Sequence, residues 1–232
     1  MYILGIETST KTGSVAIATE DHIIAMYTLN IEVTHSERLM STIDRVLSDT
    51  GIAMSDIDGF GVAIGPGSFT GLRIGLATVK GLAFATGKPV AAVPTLRALA
   101  WNLPFSAYPV CPMLDARKSE IYTAIFRSDA GTLVQLMPER AMALSLLAAE
   151  ITGPTVFTGE AAKQHEGELL KLCGANALFA PLSAMVPSAA GIAELARAMI
   201  IQGAPSDIEN LHPLYLRRPE AEVAWEKKQL SP

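Results

Sequence analysis

The sequence predicts an α/β protein built from two similarly organised subdomains. The first observation behind this prediction is that apolar segments with strand periodicity alternate with segments of helical periodicity along the chain. The second is an internal repeat, in which an acidic residue opens three strands joined by short turns. The spacing between Glu7 and Asp21 is the same as the spacing between Asp115 and Asp129. Such repetition indicates two copies of one structural unit, with chance similarity between two β-hairpins as the alternative.

The first half of the chain is predicted to follow the order βββαβαβα. Turn-forming residues bound its strands, and its first helix carries apolar side chains on one face between a capping Ser36 and a terminating Gly51. The predicted strands are 2–6, 14–18, 23–29, 60–64 and 90–93, and the predicted helices are 36–50, 69–86 and 95–102.

The second half begins with another three-strand unit and then becomes mainly helical. Its predicted strands are 110–114, 121–126, 133–137 and 155–158, and its predicted helices are 143–151, 161–173 and 191–202. We divide the chain into an N-terminal subdomain of residues 1–103 plus about 190–204, a C-terminal subdomain of residues 104–189, and a tail of residues 205–232. The tail has mixed charge and weak periodicity, and its stretch 215–222 fits either a solvated terminus or a docking segment.

Composition limits the functional classes open to this chain. Hydrophobic residues make up 50% of it and charged residues 18%, yet no apolar run reaches the length of about 18 residues that a membrane helix requires. The net charge of −5 disfavours nucleic-acid binding by this chain alone. The first residues lack the pattern of a secretion signal, so we expect a cytoplasmic protein that does not bind membranes, with Cys111 and Cys173 as free thiols. The apolar excess indicates either a large core or a surface that another protein covers.

A glycine-rich loop joins a predicted strand to a predicted helix. Its sequence, GPGSFTG at 65–71, fixes a tight turn just where the apolar helix begins. Taken alone, this arrangement is typical of a phosphate site, because backbone N–H groups at a helix N-terminus attract anions. Ser68 lacks the pattern of a nucleophile elbow, which favours a turn-forming or helix-capping role. We assign Arg73 a structural or interfacial role.

Two βββαβα-type halves facing each other, the second degenerate, describe the actin-like, sugar-kinase-like ATPase fold. Residues 3–9, 65–75, 114–122 and 213–217 together resemble the bacterial TsaB (YeaZ) family. The resemblance implies a non-catalytic subunit in the synthesis of threonylcarbamoyl-adenosine, the modification beside the anticodon of tRNAs that read codons beginning with A. In that system the paralogue TsaD performs the transfer, TsaC makes the threonylcarbamoyl-adenylate, and TsaE is an ATPase.

The same resemblance implies how the chain acts. It is expected to activate TsaD by forming a heterodimer, to join TsaE in a larger complex, to form a homodimer in isolation, and to meet tRNA only through the complex. The chain itself requires no cofactor, and ATP or ADP is a candidate ligand at a partner interface. The expected partner surface lies on helices 36–50 and 69–86, and its residues are Leu39, Met40, Ile43, Val46, Leu47, Leu72, Gly75, Leu76, Val79 and Leu82.

Helix 69–86 is apolar nearly all round and carries small residues four positions apart. Gly71 and Gly75 form one such pair, and Ala77 and Gly81 form another. Small residues at this spacing let another helix approach closely. Packing against the protein's own sheet is the competing explanation, and different faces of the helix can serve both roles.

The resemblance also indicates which chemistry the chain lacks. In TsaD, two histidines four residues apart on one helix bind a metal ion, and Thr95 and Leu99 stand at those positions here. The 4 histidines of this chain are scattered. We therefore predict neither catalytic nor metal-binding residues.

The nucleotide site expected between the two halves is degraded. The first turn keeps small residues, but the second, residues 115–120, has no glycine and carries long side chains, which disfavours close approach of its backbone to a phosphate. Glu7 and Asp115 fit either paired carboxylates across the cleft or acceptors for the turn amides. The candidate vestigial nucleotide or phosphate contacts are Glu7, Thr8, Ser9, Asp115, Arg117 and Lys118.

Two other functions are the alternatives. A weak ATPase or metabolite kinase of the same fold comes first. A peptidase ranks last, because the sequence offers no Ser-His-Asp, Cys-His or metal arrangement to support one.

Overall fold

The computed structural model describes residues 1–30 and 35–217, apart from the side chains of His35 and Ser36. The predicted cap at Ser36 and the last part of the tail therefore lie outside the described residues. Within them, the chain forms two five-stranded sheets of the same topology. Cys111 and Cys173 are free thiols, as predicted, but only Cys111 is buried, whereas Cys173 is half-buried.

The first sheet has the order β3-β2-β1-β4-β5. Strand β1 pairs antiparallel with β2 and parallel with β4, so the three-strand meander continues into a parallel sheet. The strands are β1 (Tyr2–Glu7), β2 (Thr12–Ala18), β3 (Ile23–Asn30), β4 (Ile57–Gly65) and β5 (Val90–Pro94), and the helices are α1 (His35–Thr50), α2 (Phe69–Thr86) and α3 (Thr95–Ala100). This sequence of elements confirms the predicted order βββαβαβα.

The second sheet has the order β8-β7-β6-β9-β10, which repeats the first sheet strand for strand. Strand β6 pairs antiparallel with β7 and parallel with β9, as β1 does with β2 and β4. The strands are β6 (Val110–Asp115), β7 (Glu120–Asp129), β8 (Thr132–Ala143), β9 (Thr155–Thr158) and β10 (Ala177–Phe179), and the helices are α4 (Leu144–Glu150), α5 (Glu160–Gln164), α6 (Glu166–Cys173) and α7 (Ala189–Ile201). The internal repeat is thus a repeat of structure.

Three elements of the second half differ from the prediction. The predicted helix 161–173 is two helices, α5 and α6, which meet at His165, where φ is −102° and ψ is 16°. The apolar periodicity continues across His165, so the sequence pattern does not reveal the break between the two helices. Strand β8 continues past Pro138, because it lies at the edge of its sheet, where a missing N–H donor is tolerated. Strand β10 is too short to produce an alternation signal.

Side chains on the two faces of the first sheet pack into separate core clusters. Leu4 and Ile6 of β1 face α1 and α2, whereas Ile3 faces α7. Glycine at position 5 lets α7 approach the sheet, because a Cβ there would overlap the carbonyl oxygen of Ala189. Helix α7 therefore returns to the first subdomain, and the residue boundaries of the two subdomains stay a prediction.

The described part of the tail is docked on the first sheet. The N–H of Ser206 donates to the carbonyl of Val90 at 2.7 Å, and the N–H of Leu214 donates to the carbonyl of Ile64 at 2.7 Å. Leu211 is buried between these contacts. Within the stretch 215–222, Tyr215 and Arg217 make contacts inside the chain, and residues 218–222 lie outside the described residues. In the part of the chain that the structure describes, no helix is both long and apolar enough to cross a membrane.

Candidate functional site

A cavity of about 510 Å³ lies between the two subdomains. The two acidic turns, the glycine loop and the docked tail all contribute to its walls. Its lining residues are Ser9, Thr10, Lys11, Gly67, Ser68, Phe69, Thr70, Leu114, Asp115, Ala116, Arg117, Tyr122, Glu160, Tyr215 and Arg217. This cleft brings together the predicted contacts Ser9, Asp115 and Arg117, whereas Glu7, Thr8 and Lys118 do not line it.

The first turn is organised by Glu7, which is completely buried at the end of β1. One of its carboxylate oxygens accepts hydrogen bonds from the backbone N–H of Ser9, at 2.6 Å, and from the Ser9 hydroxyl. The other carboxylate oxygen has no hydrogen-bond partner among the described residues. Burial raises the pKa of Glu7 from 4.5 to about 7, although the Ser9 hydrogen bonds oppose the shift.

The second turn repeats this hydrogen bond in an exposed setting. The carboxylate of Asp115 accepts the N–H of Arg117 at 2.8 Å. Arg117, Lys118 and Ser119 have φ values of 61°, 52° and 60°, so non-glycine residues adopt a left-handed conformation here. Both acidic residues therefore act as acceptors for turn amides, as one of the two alternatives predicted. Glu7 is buried and does not line the cavity, whereas Asp115 is exposed and lines it.

The glycine loop packs against the first turn rather than standing open. The N–H of Ser68 donates to the carbonyl of Ser9 at 2.6 Å. A Cβ on Gly67 would overlap that same carbonyl oxygen, so glycine is required for the contact. The Ser68 hydroxyl accepts the N–H of Gly71 at 3.2 Å and caps α2, which confirms the predicted helix-capping role. The loop thus directs two of its amides to protein acceptors.

Thr8 attaches the first turn to α2. Its side chain is buried, and its hydroxyl donates to the carbonyl of Gly71 at 2.8 Å. A Cβ on Gly75 would overlap the Thr8 hydroxyl oxygen. The glycines at the start of α2 therefore permit close packing within this chain, which is the competing explanation that the sequence left open for them.

The two positions that the family resemblance equates with the metal ligands of TsaD lie in the core. Thr95 and Leu99 are both completely buried, and the hydroxyl of Thr95 has no hydrogen-bond partner among the described residues. Leu99 packs at Gly159, where an added Cβ would come within 2.9 Å of the leucine side chain. A hydroxyl and an isobutyl group do not form a metal site. Within residues 1–30 and 35–217 there is no cluster of three His, Cys, Asp or Glu residues that could hold an ion.

Aromatic stacking joins α2 to the tail at one wall of the cavity. The rings of Phe69 and Tyr215 stack with centroids 5.1 Å apart. The Arg73 guanidinium lies 3.8 Å from the centre of the Phe69 ring and donates to the Tyr215 hydroxyl at 3.1 Å. Arg73 therefore has a structural contact within the chain.

Sequence reasoning missed several residues of the cleft. Lys11, Glu160, Tyr215 and Arg217 line the cavity although no site role was predicted for them. Burial raises the pKa of Glu160, and the nearby Lys11 opposes that shift. The signal for the last two residues was present, because 213–217 is one of the segments on which the family resemblance rests.

The structure corrects the predicted partner surface. Most of its residues are buried against the first sheet, because helices α1 and α2 present their apolar faces to the protein's own core; these residues are Leu39, Ile43, Val46, Leu72, Gly75, Leu76 and Val79. Leu47 and Leu82 are half-buried. Met40 is 54% exposed, and among the predicted partner residues it is the one that stands largely in solvent.

Four apolar or small residues of α1 and α2 are exposed, and we call them the α1–α2 surface; of these, Met40 belongs to the predicted partner surface and the other three do not. Phe84 is 90% exposed, and Ala77 and Gly81 of the same helix are also exposed. Gly81 has no atom within 4 Å of where its Cβ would stand. Unlike Gly75, this glycine has no packing role within the chain. The α1–α2 surface consists of Met40, Ala77, Gly81 and Phe84.

The fold and the cleft first define a class of protein. Two sheets of matching topology on either side of a cleft are the architecture of the actin-like ATPases and sugar kinases. The ROK hexokinase from Thermus thermophilus, at 14% sequence identity, superposes with a TM-score of 0.51 over 88% of this chain and 100% of the hexokinase. At that identity the likeness shows the fold alone, and the predicted fold class is confirmed.

Closer relatives identify the family. The family model for TsaD, tRNA N6-adenosine threonylcarbamoyltransferase, matches residues 23–225. The tRNA threonylcarbamoyladenosine biosynthesis protein TsaB of Bacillus subtilis is 32% identical over 99% of this chain and 100% of its own length. YeaZ from Pseudomonas aeruginosa is 28% identical, with a TM-score of 0.79 over 93% of this chain and 99% of YeaZ. A second structure from that organism, with the same values, is described as similar to peptidase YEAZ. The chain belongs to the TsaB (YeaZ) family.

Proposed function

We propose that this chain is a non-catalytic subunit in the threonylcarbamoylation of the adenosine next to the anticodon in tRNAs reading ANN codons. It acts by dimerising with TsaD through the α1–α2 surface. The observation that carries the proposal is the burial of Thr95 and Leu99, which the family resemblance equates with the metal ligands of TsaD. A chain that cannot hold the metal at this position contributes to the reaction through its partner.

The turns around the cleft support a role without nucleotide chemistry. The N–H groups of Ser9 and Arg117 are directed at Glu7 and Asp115, and the N–H of Ser68 is directed at the Ser9 carbonyl. Amides of such turns would have to point at phosphates in a working nucleotide site. We therefore assign no required cofactor to this chain and keep ATP or ADP as a ligand of a partner interface.

The α1–α2 surface supports association with another helix-bearing protein. Phe84 and Met40 are large apolar side chains that stand largely in solvent. Burying a phenylalanine of this kind contributes about 2 kcal/mol. Gly81 leaves room for a partner helix to approach the backbone of α2, at a cost of about 1 kcal/mol to the isolated helix. The same surface serves a homodimer in isolation, so homodimer and TsaD heterodimer compete for it.

The wider assembly is proposed from the family resemblance. TsaE joins the TsaB–TsaD pair in a larger complex, and tRNA is bound through the complex rather than by this acidic chain alone. The net charge of −5 supports that division, because unaided binding of nucleic acid normally needs a basic surface. We place the complex in the cytoplasm, where its tRNA substrates are.

Association with TsaD is tested by placing a charge on the exposed surface. Phe84→Asp is expected to weaken the heterodimer by more than about tenfold, because a buried unpaired carboxylate opposes association. The matched control is Leu170→Asp, which charges an exposed leucine on α6 of the other subdomain. Complex formation is measured by the mass of the purified mixture, with and without ATP. Equal heterodimer formation by wild type and Phe84→Asp would refute the placement of the partner surface.

The non-catalytic role has a separate test. Purified chain, tRNA and threonylcarbamoyl-adenylate without TsaD should yield no modified adenosine, and addition of TsaD should restore the reaction. Modified base without TsaD would contradict the proposal. Phosphate release from ATP by the isolated chain would favour the alternative of a weak ATPase or kinase. Specific cleavage of TsaD on incubation would favour a peptidase, a role that the helix-capping Ser68 does not support.

A further inference from the structure

The docked tail is held on the first subdomain by contacts spread along its length. Backbone hydrogen bonds attach Ser206 to Val90 and Leu214 to Ile64, each at 2.7 Å. The Ser206 hydroxyl also accepts the N–H of Ala92 at 2.9 Å. Stacking of Tyr215 on Phe69 continues the attachment up to the rim of the cleft. Residues 206–215 are therefore fixed to the first sheet and to α2.

The next residues of the tail reach the second subdomain. The guanidinium of Arg217 donates to the carbonyl of Ala116 at 3.0 Å and forms an ion pair with Glu120 at 3.2 Å. Ala116 belongs to the second acidic turn, and Glu120 begins β7. Tyr215 thus contacts the first subdomain and Arg217 contacts the second, and both residues line the same cavity.

Packing between the subdomains also runs through α3. Leu96 and Leu99 of this helix lie in one core cluster with Val110, Leu114 and Phe126 of the second sheet. The residues of α3 do not line the cavity. The contacts between the subdomains therefore include a packed helix away from the cavity and the tail at the cavity wall.

We propose that residues 206–217 form an intramolecular clasp that holds the two subdomains at one separation across the cleft. Proteins built from two subdomains around a cleft open and close about hinges when nothing spans the opening. Here Arg217 spans it, with two contacts to the second subdomain from a segment fixed to the first. The clasp makes the chain a single rigid body. This inference concerns the isolated chain and does not depend on the proposed association with TsaD.

The clasp is tested by measuring the distance between the subdomains. Nitroxide labels are placed at Ser48→Cys on α1 and Glu150→Cys on α4, both of which are exposed positions, in a Cys173→Ser background. Cys111 is completely buried and is left in place. The wild-type clasp should give one narrow distance distribution. The double variant Tyr215→Ala and Arg217→Ala should widen it about twofold or add a second, longer distance.

The matched control removes an ion pair that lies within one subdomain. Lys163→Ala eliminates the exposed pair with Glu166 on α5 and α6, and its distance distribution should match the wild type. An unchanged distribution in a folded Tyr215→Ala and Arg217→Ala variant overturns the proposal. If that variant does not fold, Arg217→Gln and Glu120→Gln are measured instead. Widening in both then supports the clasp, and wild-type distributions in both overturn it.

Discussion

Ser9 donates both its backbone N–H and its hydroxyl to a single carboxylate oxygen of the buried Glu7. The carbonyl of the same serine accepts the N–H of Ser68, which is the cap of α2. One carboxylate therefore supports the first turn, the glycine loop and the start of the helix that carries the proposed partner surface. Its protonation should influence the stability of all three.

Stability should depend on pH through Glu7. Burial raises the pKa of this carboxyl from 4.5 to about 7, so the folded protein keeps a proton that the unfolded chain releases. The stabilisation from this proton is complete below pH 4.5 and is lost as the pH rises to about 7. Each pKa unit between the folded and unfolded states corresponds to about 1.4 kcal/mol. The shift from 4.5 to about 7 therefore corresponds to a loss of about 3 kcal/mol in the free energy of unfolding.

The variant Glu7→Gln isolates this effect. Glutamine keeps an oxygen that can accept the Ser9 hydrogen bonds but cannot ionise, so the variant should lose this part of the pH dependence. Urea unfolding of both proteins at about pH 5 and about pH 8 measures the free energy of unfolding. Other groups titrate alike in both and cancel in the comparison. Parallel pH profiles would show that Glu7 does not keep its proton.

Two glycines of α2 should respond oppositely to alanine. Gly81→Ala should stabilise the isolated chain by up to about 1 kcal/mol, because the new Cβ meets open space and alanine favours helix. Gly75→Ala should destabilise it by about 1–3 kcal/mol, because the Cβ would overlap the Thr8 hydroxyl that bonds to Gly71. Urea unfolding of the two variants and the wild type measures both changes in the free energy of unfolding. Stabilisation by both substitutions would mean that Thr8 can move aside at little cost.

The order of strands and helices along the chain could be predicted in part because the three-strand unit occurs twice. Asp115 and Asp129 reproduce the spacing of Glu7 and Asp21, and the turns between them leave only short antiparallel connections. Both copies then fold into sheets of one topology. A role for Glu7 and Asp115 as amide acceptors was one of the two alternatives that this pattern left open, since a carboxylate at a strand end lies beside the turn that follows.

The partner surface could not be predicted residue by residue. Helix α2 is apolar nearly all round, so its periodicity does not distinguish the face that packs on the sheet from the face in solvent. Leu76 and Val79 were assigned to the outer face and lie in the core, whereas the exposed Phe84 was overlooked. The docking of Arg217 depends on the approach of two distant segments, which no local pattern encodes.

Thr95→Val should stabilise the chain by about 1 kcal/mol. The hydroxyl of Thr95 is completely buried and has no hydrogen-bond partner among the described residues. A buried polar group in this state destabilises the fold, and valine has nearly the same shape without the hydroxyl. The matched control is Thr158→Val, at an equally buried threonine whose hydroxyl donates to the carbonyl of Ala184 at 2.6 Å.

The free energy of unfolding of the Thr158→Val control should fall by about 1 kcal/mol, because the substitution removes the hydrogen bond to Ala184. The free energies of unfolding of the two variants are compared in urea. Opposite signs would agree with a Thr95 hydroxyl that serves neither the fold nor a ligand of this chain. An equal loss in both variants would show that the Thr95 hydroxyl has a partner, and the position would then have to be reconsidered as a functional one.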